Sequence, residues 1–202
     1  MRLIGALGGQ PPEFIHLGLL LGADGKKLSK RHGAASLAEL RSAGVPAEAV
    51  RAYLEELGMP AHDVHFDPAR LRRLSTDALG RMSDEELARR LDVPLELAPA
   101  IRGARDLAEA QAIADQIRSP DRAVLPPSAR PTLDRFRELR ERANGDLDAE
   151  RAKAIVRELK AVGGDLRALR LALTGAERGP ELWTVVFALP RDEALRRVDA
   201  AL

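Results

Sequence analysis

Residues 24–33 read Asp24-Gly25-Lys26-Lys27-Leu28-Ser29-Lys30-Arg31-His32-Gly33. Three lysines and an arginine fall within six residues, between glycines and around a single serine. Glycine lets the backbone approach a ligand closely. Lysine ammonium groups are mobile point charges suited to phosphates, and a serine hydroxyl donates to a phosphate oxygen or caps a turn. Such a loop has the chemistry to hold a polyphosphate and to stabilise the charge that develops as pyrophosphate leaves. A solvated basic hairpin tip has the same composition, and on composition alone it is the simpler account.

Working outward, Gly22-Ala23-Asp24-Gly25 is a turn, and the apolar run Glu13–Leu21 before it predicts a strand. Met1–Gly8 predicts a short amphipathic helix, stopped by Gly8-Gly9 and Pro11-Pro12. After the loop, Ser36-Leu37-Ala38-Glu39 is a capping box. Pro46 opens a helix with Val50, Tyr53, Leu54 and Leu57 on one face, and Gly58 ends it. Met59–Pro68, with two prolines, two histidines and two aspartates, reads as a linker. It divides the chain into residues 1–60 and residues 61–202. A basic helix over Pro68–Leu79, a second capping box at Ser83-Asp84-Glu85-Glu86, and helices over Leu107–Ile117, Thr132–Ala143, Asp148–Val162, Asp165–Leu173, Pro180–Leu189 and Arg191–Leu202 follow.

The expected fold class is therefore mainly α, with a short β element before the loop. The bulk numbers agree. Hydrophobic residues make up 45% of the 202-residue chain, enough for a core, but aromatics only 3%, so that core is built of Leu, Ala, Val and Ile. Cysteine is absent, which removes disulfides, thiolate metal sites and cysteine catalysis. No apolar run reaches membrane-spanning length and no signal peptide is evident, so a cytoplasmic protein is expected. The net charge of +1 says little. Its distribution says more: Asp24–Arg41 and Arg151–Arg178 are basic, while Arg81–Pro99 is acidic. Two separated basic stretches suit an extended polyanion, or are solvated helix faces. His62, His65, Asp63 and Asp67 have ligand-like spacing, but they fall in the linker and no metal is expected there.

The order Lys27-Leu28-Ser29-Lys30-Arg31 resembles the KMSKS loop of class I aminoacyl-tRNA synthetases. The longer pattern over residues 22–33 is similar to the glutamyl-tRNA synthetase form. His16-Leu17 and Leu19-Leu20 resemble the strand before that loop, and Ala34-Ala35-Ser36 with Pro46, Val50, Tyr53 and Leu54 resemble the helix and hairpin after it. The match runs in register over about fifty residues, which makes it far more specific than five letters. The resemblance implies that Lys30 is the ATP-phosphate lysine, supported by Lys27, Leu28, Ser29 and Arg31, in a loop that closes over ATP with Mg2+ while glutamyl-adenylate forms.

Further along, Phe66-Asp67-x-x-Arg70-Leu71 resembles a helix start of the same family, although Leu74-Ser75-Thr76 lacks the asparagine usual there. Leu169-Arg170-Leu171-Ala172-Leu173-Thr174-Gly175 and Gly179-Pro180-Glu181-Leu182 resemble its anticodon-pocket signature. The resemblance implies anticodon contacts by Arg170, Thr174, Gly179, Pro180 and Leu182, and by Arg102 and Arg105 through an approximate match. Arginine suits that work because its planar fork donates two hydrogen bonds and its face stacks on a base. Trp183, the only tryptophan, could stack too, but its apolar run, Leu182-Trp183-x-Val185-Val186-Phe187, predicts a core position.

The family's HIGH motif is not found; His16-Leu17-Gly18 lies where the strand belongs. With about two dozen residues before Lys27 there is no room for a nucleotide-binding sheet. The catalytic constellation is thus incomplete, and one loop cannot supply the proximity that adenylate formation needs. The resemblance implies the tRNA-binding portion of a glutamate–tRNA ligase, truncated or split. It binds glutamate tRNA, holds no cofactor tightly, does not aminoacylate alone, and has no membrane or DNA partner. A separate Rossmann half is the implied catalytic partner. The alternative is a synthetase-derived, non-catalytic interaction or regulatory protein.

Overall fold

The computed structural model describes residues 2–10, 12–28, 36–121, 123–143 and 145–201. Among these residues the fold is helical with one small sheet. The elements run α1 (Arg2–Ala6), β1 (Leu20–Leu21), α2 (Leu37–Ser42), α3 (Ala47–Leu57), β2 (Val64–His65), α4 (Pro68–Arg81), α5 (Asp84–Leu91), α6 (Ala98–Ile101), α7 (Leu107–Arg118), α8 (Arg130–Arg142), α9 (Ala149–Ala161), α10 (Leu166–Thr174), α11 (Leu182–Ala188) and α12 (Arg191–Ala201). The expected mainly α class is what forms.

Local chemistry starts most of these helices. The Ser36 hydroxyl accepts from the Glu39 amide at 3.1 Å while the Glu39 carboxylate accepts from the Ser36 amide at 2.6 Å, so the capping box closes in both directions. The second box closes only halfway. Ser83 accepts from the Glu86 amide at 3.2 Å, but the Glu86 side chain pairs with Arg90 at 2.9 Å instead. Asp67, Asp106, Asp148 and Asp165 cap α4, α7, α9 and α10. Gly58, at φ 63°, closes α3 in a conformation other residues adopt only with strain.

The strand expected over Glu13–Leu21 is confined to Leu20–Leu21, because its partner is equally short. β2 lies in the stretch read as a linker. It pairs parallel to β1, Leu20 beside Val64 and Leu21 beside His65, with α2 and α3 as the crossover.

Two apolar clusters form. The smaller packs Ala49 and Tyr53 of α3 against Leu71 and Leu74 of α4, with the Tyr53 and Phe66 rings edge-on at 5.5 Å. The larger is built almost wholly of Leu, Ala, Val and Ile from α4 to α12, around Phe136. α4 serves both: Leu71 and Leu74 face the first, Leu79 the second. The two parts touch again where the Leu107 amide donates to the Gly44 carbonyl at 2.8 Å. A Cβ on Gly44 would run into Ala108, so only glycine fits there. Arg90 of α5 reaches Glu48 of α3.

Buried arginines tie the larger part together. Arg197, 6% exposed, donates to the carbonyls of Ile117 at 2.7 Å and Leu173 at 2.6 Å, and to Glu193 at 2.6 Å. One guanidinium thereby satisfies carbonyls at the ends of both α7 and α10. Arg140 is fully buried and donates to the Ala143 and Gly145 carbonyls after α8. Burial, reinforced by the positive charge of Arg191, pushes its pKa down.

Candidate nucleic-acid interface

The base of the basic loop is held by a chain of backbone bonds. Gly22 and Gly25 form the turn, with the Gly25 amide donating to the Gly22 carbonyl at 3.0 Å and φ 71° at Gly25. The Gly22 amide donates to the Lys26 carbonyl at 2.8 Å, Leu21 bridges Lys27 in antiparallel sense, and the Leu28 amide donates to Leu20 at 2.8 Å. Lys27 is exposed and Leu28 half-buried. Ser29, Lys30 and Arg31 lie outside the described residues.

On its other side β1 is gripped by residues 60–66. The Gly18 amide donates to Pro60, Val64 to Leu19 and Phe66 to Leu21, at 2.8–3.0 Å. The Asp63 carboxylate accepts from the Leu19 amide at 2.7 Å, and His65 Nδ1 lies 3.1 Å from the Gly22 carbonyl. The Asp67 amide then donates to the Tyr53 hydroxyl at 2.7 Å, joining this strap to the α3–α4 pair. Of the cluster His62, Asp63, His65 and Asp67, the last three side chains are thus used on backbone groups. Among the described residues no group of three or more His, Asp or Glu is disposed to hold a metal.

The second site is an open groove of about 660 Å³ between α6, the start of α7 and the loop before α11. Arg102, Gly103, Glu109, Gly179, Pro180 and Trp183 are among its walls, with Arg178 and Glu181 at the mouth. Of the residues singled out from sequence, Arg102, Gly179 and Pro180 line it. Arg170 stands behind the loop, half-buried, and its Nη1 donates to the Pro180 carbonyl. Burial lowers its pKa. Thr174 is buried and donates to the Arg170 carbonyl at 2.8 Å; Leu182 is a core residue beneath the groove. Arg105 is outside the wall, exposed and forked onto Glu109 at 2.9 Å and 3.0 Å. That pairing raises the pKa of Arg105 and lowers that of Glu109. Arg102 donates to the carbonyls of Gly80 at 3.1 Å and Met82 at 2.8 Å, and to Asp84.

Trp183 is half-buried on the groove wall and not in the core position its apolar neighbours predict. Leu182, Val185 and Val186 take the inward face of α11 and leave the indole at its edge. Its N–H donates to Glu181, and the Lys153 ammonium lies over the ring, 4.8 Å from its centroid. Ser75, the residue beside the missing asparagine, is buried and cannot reach a partner outside the protein.

Residues 1–67 match the family model described as tRNA synthetases class I (E and Q), catalytic domain. Glutamate–tRNA ligase 1 of Rubrobacter xylanophilus is 34% identical over 244 residues, covering 97% of this chain and 56% of that protein. Glutamate–tRNA ligase 1 of Pseudothermotoga lettingae is 28% identical over 247 residues, covering 100% of this chain and 52% of that protein. The chain is a homologue of glutamate–tRNA ligases and aligns with their C-terminal half. It spans about half the length of these relatives. The solved structure of a glutamate tRNA ligase from Elizabethkingia meningosepticum superposes with a TM-score of 0.68 at 21% identity, over 99% of this chain and 53% of that one, so the fold is shared. No helix among the described residues is long and apolar enough to cross a membrane.

Proposed function

We propose that this chain is the tRNA-binding portion of a glutamate–tRNA ligase, taking the anticodon of glutamate tRNA in the groove between α6 and α11. The observation that carries the reading is the half-buried Trp183 beside Gly179-Pro180, a loop tied from behind by Arg170. An indole with one face covered by Lys153 offers its other face to a single splayed base. Arg178 supplies positive charge at the groove mouth, while the Arg102 charge is paired with Asp84. The resemblance gives the ATP-phosphate role to Lys30, with Lys27 supporting the loop. No HIGH motif accompanies it, and the chain by itself does not aminoacylate. A cytoplasmic location follows from this role.

Binding of glutamate tRNA, of the same tRNA with a substituted anticodon, and of an unrelated tRNA tests the reading across several salt concentrations. Salt-sensitive binding that prefers the intact anticodon is expected. Equal binding of all three, or none, removes it.

A second reading concerns catalysis. Leu3, Leu7, Phe14, Ile15, Leu17 and Leu19 are all more than two-fifths exposed, a concentration of exposed apolar side chains in the first twenty residues. They belong to the segment matching the catalytic-domain model. A HIGH-containing nucleotide-binding half is the partner that would cover them and complete the ATP site. Mixing this chain with such a half from a homologous ligase should restore charging of tRNA with glutamate, which neither part performs alone. Charging by this chain unaided would overturn the proposal.

A further inference from the structure

Among the described residues, four buried side-chain atoms have no hydrogen-bond partner. One is the Ser75 hydroxyl; the other three are guanidinium nitrogens, Nε and Nη2 of Arg140 and Nε of Arg191. A buried donor without an acceptor carries the full cost of its lost hydration, and that cost is greatest for a charged group. The two arginines are neighbours. Arg140 lies in the last turn of α8, and Arg191 opens α12, which packs on α8. The Arg191 charge is close enough to depress the Arg140 pKa further than burial does, so two like charges with unspent donors sit beside one another.

Elsewhere in the chain the same edge of the guanidinium takes a carboxylate. Nε and Nη2 together grip Glu56 in Arg70, Glu109 in Arg105 and Glu193 in Arg196. Arg140 uses only Nη1, on the Ala143 and Gly145 carbonyls at 3.1 Å and 3.0 Å. Those carbonyls compensate part of its charge at the C-terminal end of α8 and leave the forked edge without an acceptor. The acids whose charge reaches Arg140 are Asp146 and Asp192. Both are exposed and neither bonds to it, while Asp192 lies 4.0 Å from Arg191 Nη1. The start of α12 adds to the demand for negative charge. Pro190, which precedes it, has no side-chain acceptor for the first-turn amides, and the Glu193 carboxylate is spent on Arg196 and Arg197. A water molecule accepts from such donors but leaves the two positive charges uncompensated; an anion does both.

We propose that Arg140 and Arg191 form a binding site for a small oxyanion, of the phosphate or carboxylate class, between the end of α8 and the start of α12. Arg140 donates from its Nε–Nη2 edge and Arg191 from Nε. The Arg191 side chain is 39% exposed while its Nε is buried, so it joins the interior donors to solvent. The ligand is a free ion, because donors buried this fully are out of reach of a phosphodiester carried on an RNA strand. The site shares no residue with the groove lined by Trp183, and it stands independently of the tRNA reading.

The test is thermal unfolding of the whole chain while inorganic phosphate, acetate or chloride is titrated at constant ionic strength. Phosphate or acetate should raise the transition in a saturating manner, by about 5 to 11 °C at a hundredfold excess over the dissociation constant. Whichever saturates at the lower concentration tells a tetrahedral from a planar ligand. Arg191→Gln should weaken the effect about tenfold or more, and so should Arg140→Lys, which keeps a charge but loses the forked edge. Arg89→Gln, at an exposed position on α5, should leave it intact. The Nε–H resonances of Arg140 and Arg191 should move together over the same titration, a readout that needs no variant to fold. A saturating rise shared by all three variants overturns the proposal by placing the ion elsewhere. A rise that stays linear and equal in all of them overturns it as solvent exclusion. No rise, with unmoved Nε–H resonances, overturns it too and assigns the edge to Asp146 or Asp192, which Asp146→Asn and Asp192→Asn would reveal as lost stability.

Discussion

Arg170 holds Pro180, ten residues along the chain, by donating to its carbonyl from a half-buried guanidinium. The distance from the Arg170 Nη1 to a Cβ built on Gly179 would be 3.6 Å, so the guanidinium fills the space directly behind the groove loop. Arg170 therefore acts on a ligand through the loop it supports. Arg170→Ala leaves the Pro180 carbonyl without its donor, worth about 1 to 3 kcal/mol for a charged hydrogen bond, and frees Gly179–Glu181 to move. The expected outcome is a lower urea midpoint together with weaker anticodon discrimination. Discrimination that survives a destabilised Arg170→Ala protein would place recognition entirely on the outer wall.

Trp183 is the sole tryptophan, so its emission reports the groove alone. RNA containing the glutamate anticodon should quench it, and an unrelated hairpin should not. Trp183→Ala should weaken binding about five- to hundredfold, the range of one lost stacking contact, and Trp183→Phe should retain most of the affinity. Lys153→Ala should alter the emission of the free protein, because the ammonium lies against the ring. An emission that no RNA perturbs would return Trp183 to a structural role.

How much of this could be read from the sequence differs by element. The turn at Gly22–Gly25, the capping box at Ser36 and the helix beginning after Pro46 depend on residues close together in the chain, and they formed as expected. β2 did not announce itself: two residues among prolines and histidines have no alternation to detect, and only β1 on the far side of α2 and α3 makes them a strand. The groove is tertiary in the same sense. Arg102, Trp183 and Lys153 come from separate elements, and nothing local to Trp183 said that Leu182, Val185 and Val186 would take the inward face and leave the indole at the edge.

Glu48 and Arg90 brace α3 against α5, and this brace is sensitive to acid. The Arg90 guanidinium, bonded to the Glu48 carboxylate, holds its pKa at about 2, against an ordinary 4.5. A depressed carboxylate stabilises the fold wherever it is ionised in both states, that is above about pH 4.5, and this contribution disappears as pH falls from 4.5 towards 2. The pair is half-exposed, so its worth at neutral pH is under about 1 kcal/mol and falls with salt. Glu48→Gln should flatten the acid limb of the stability curve in that window while shifting the neutral midpoint little. Chemical denaturation from pH 2 to pH 7 at low salt measures both, and identical acid limbs would show that the pair carries no linkage.

The strap of residues 60–66 makes a last prediction about the basic loop. Asp63 and His65 each bond to the backbone of the segment leading into it, at Leu19 and Gly22, and the same segment bridges Lys27 through Leu21. Lys26 and Lys27 are tryptic sites whose cleavage requires that local pairing open, so their cutting rate tracks how firmly the strap holds. Asp63→Ala and His65→Ala each remove one bond, which should raise cleavage after Lys26 and Lys27 about two- to tenfold, with the global thermal transition little changed. Asp63→Asn keeps an oxygen acceptor for the Leu19 amide and should return the rate towards that of the unsubstituted chain. Gly18→Ala should have the largest effect, because a Cβ there would strike the His62 carbonyl and force β1 away from its partner. If cleavage in all of these proteins matched the unsubstituted chain, the loop base would be held by the turn at Gly22–Gly25 alone, and β2 would be a passive neighbour.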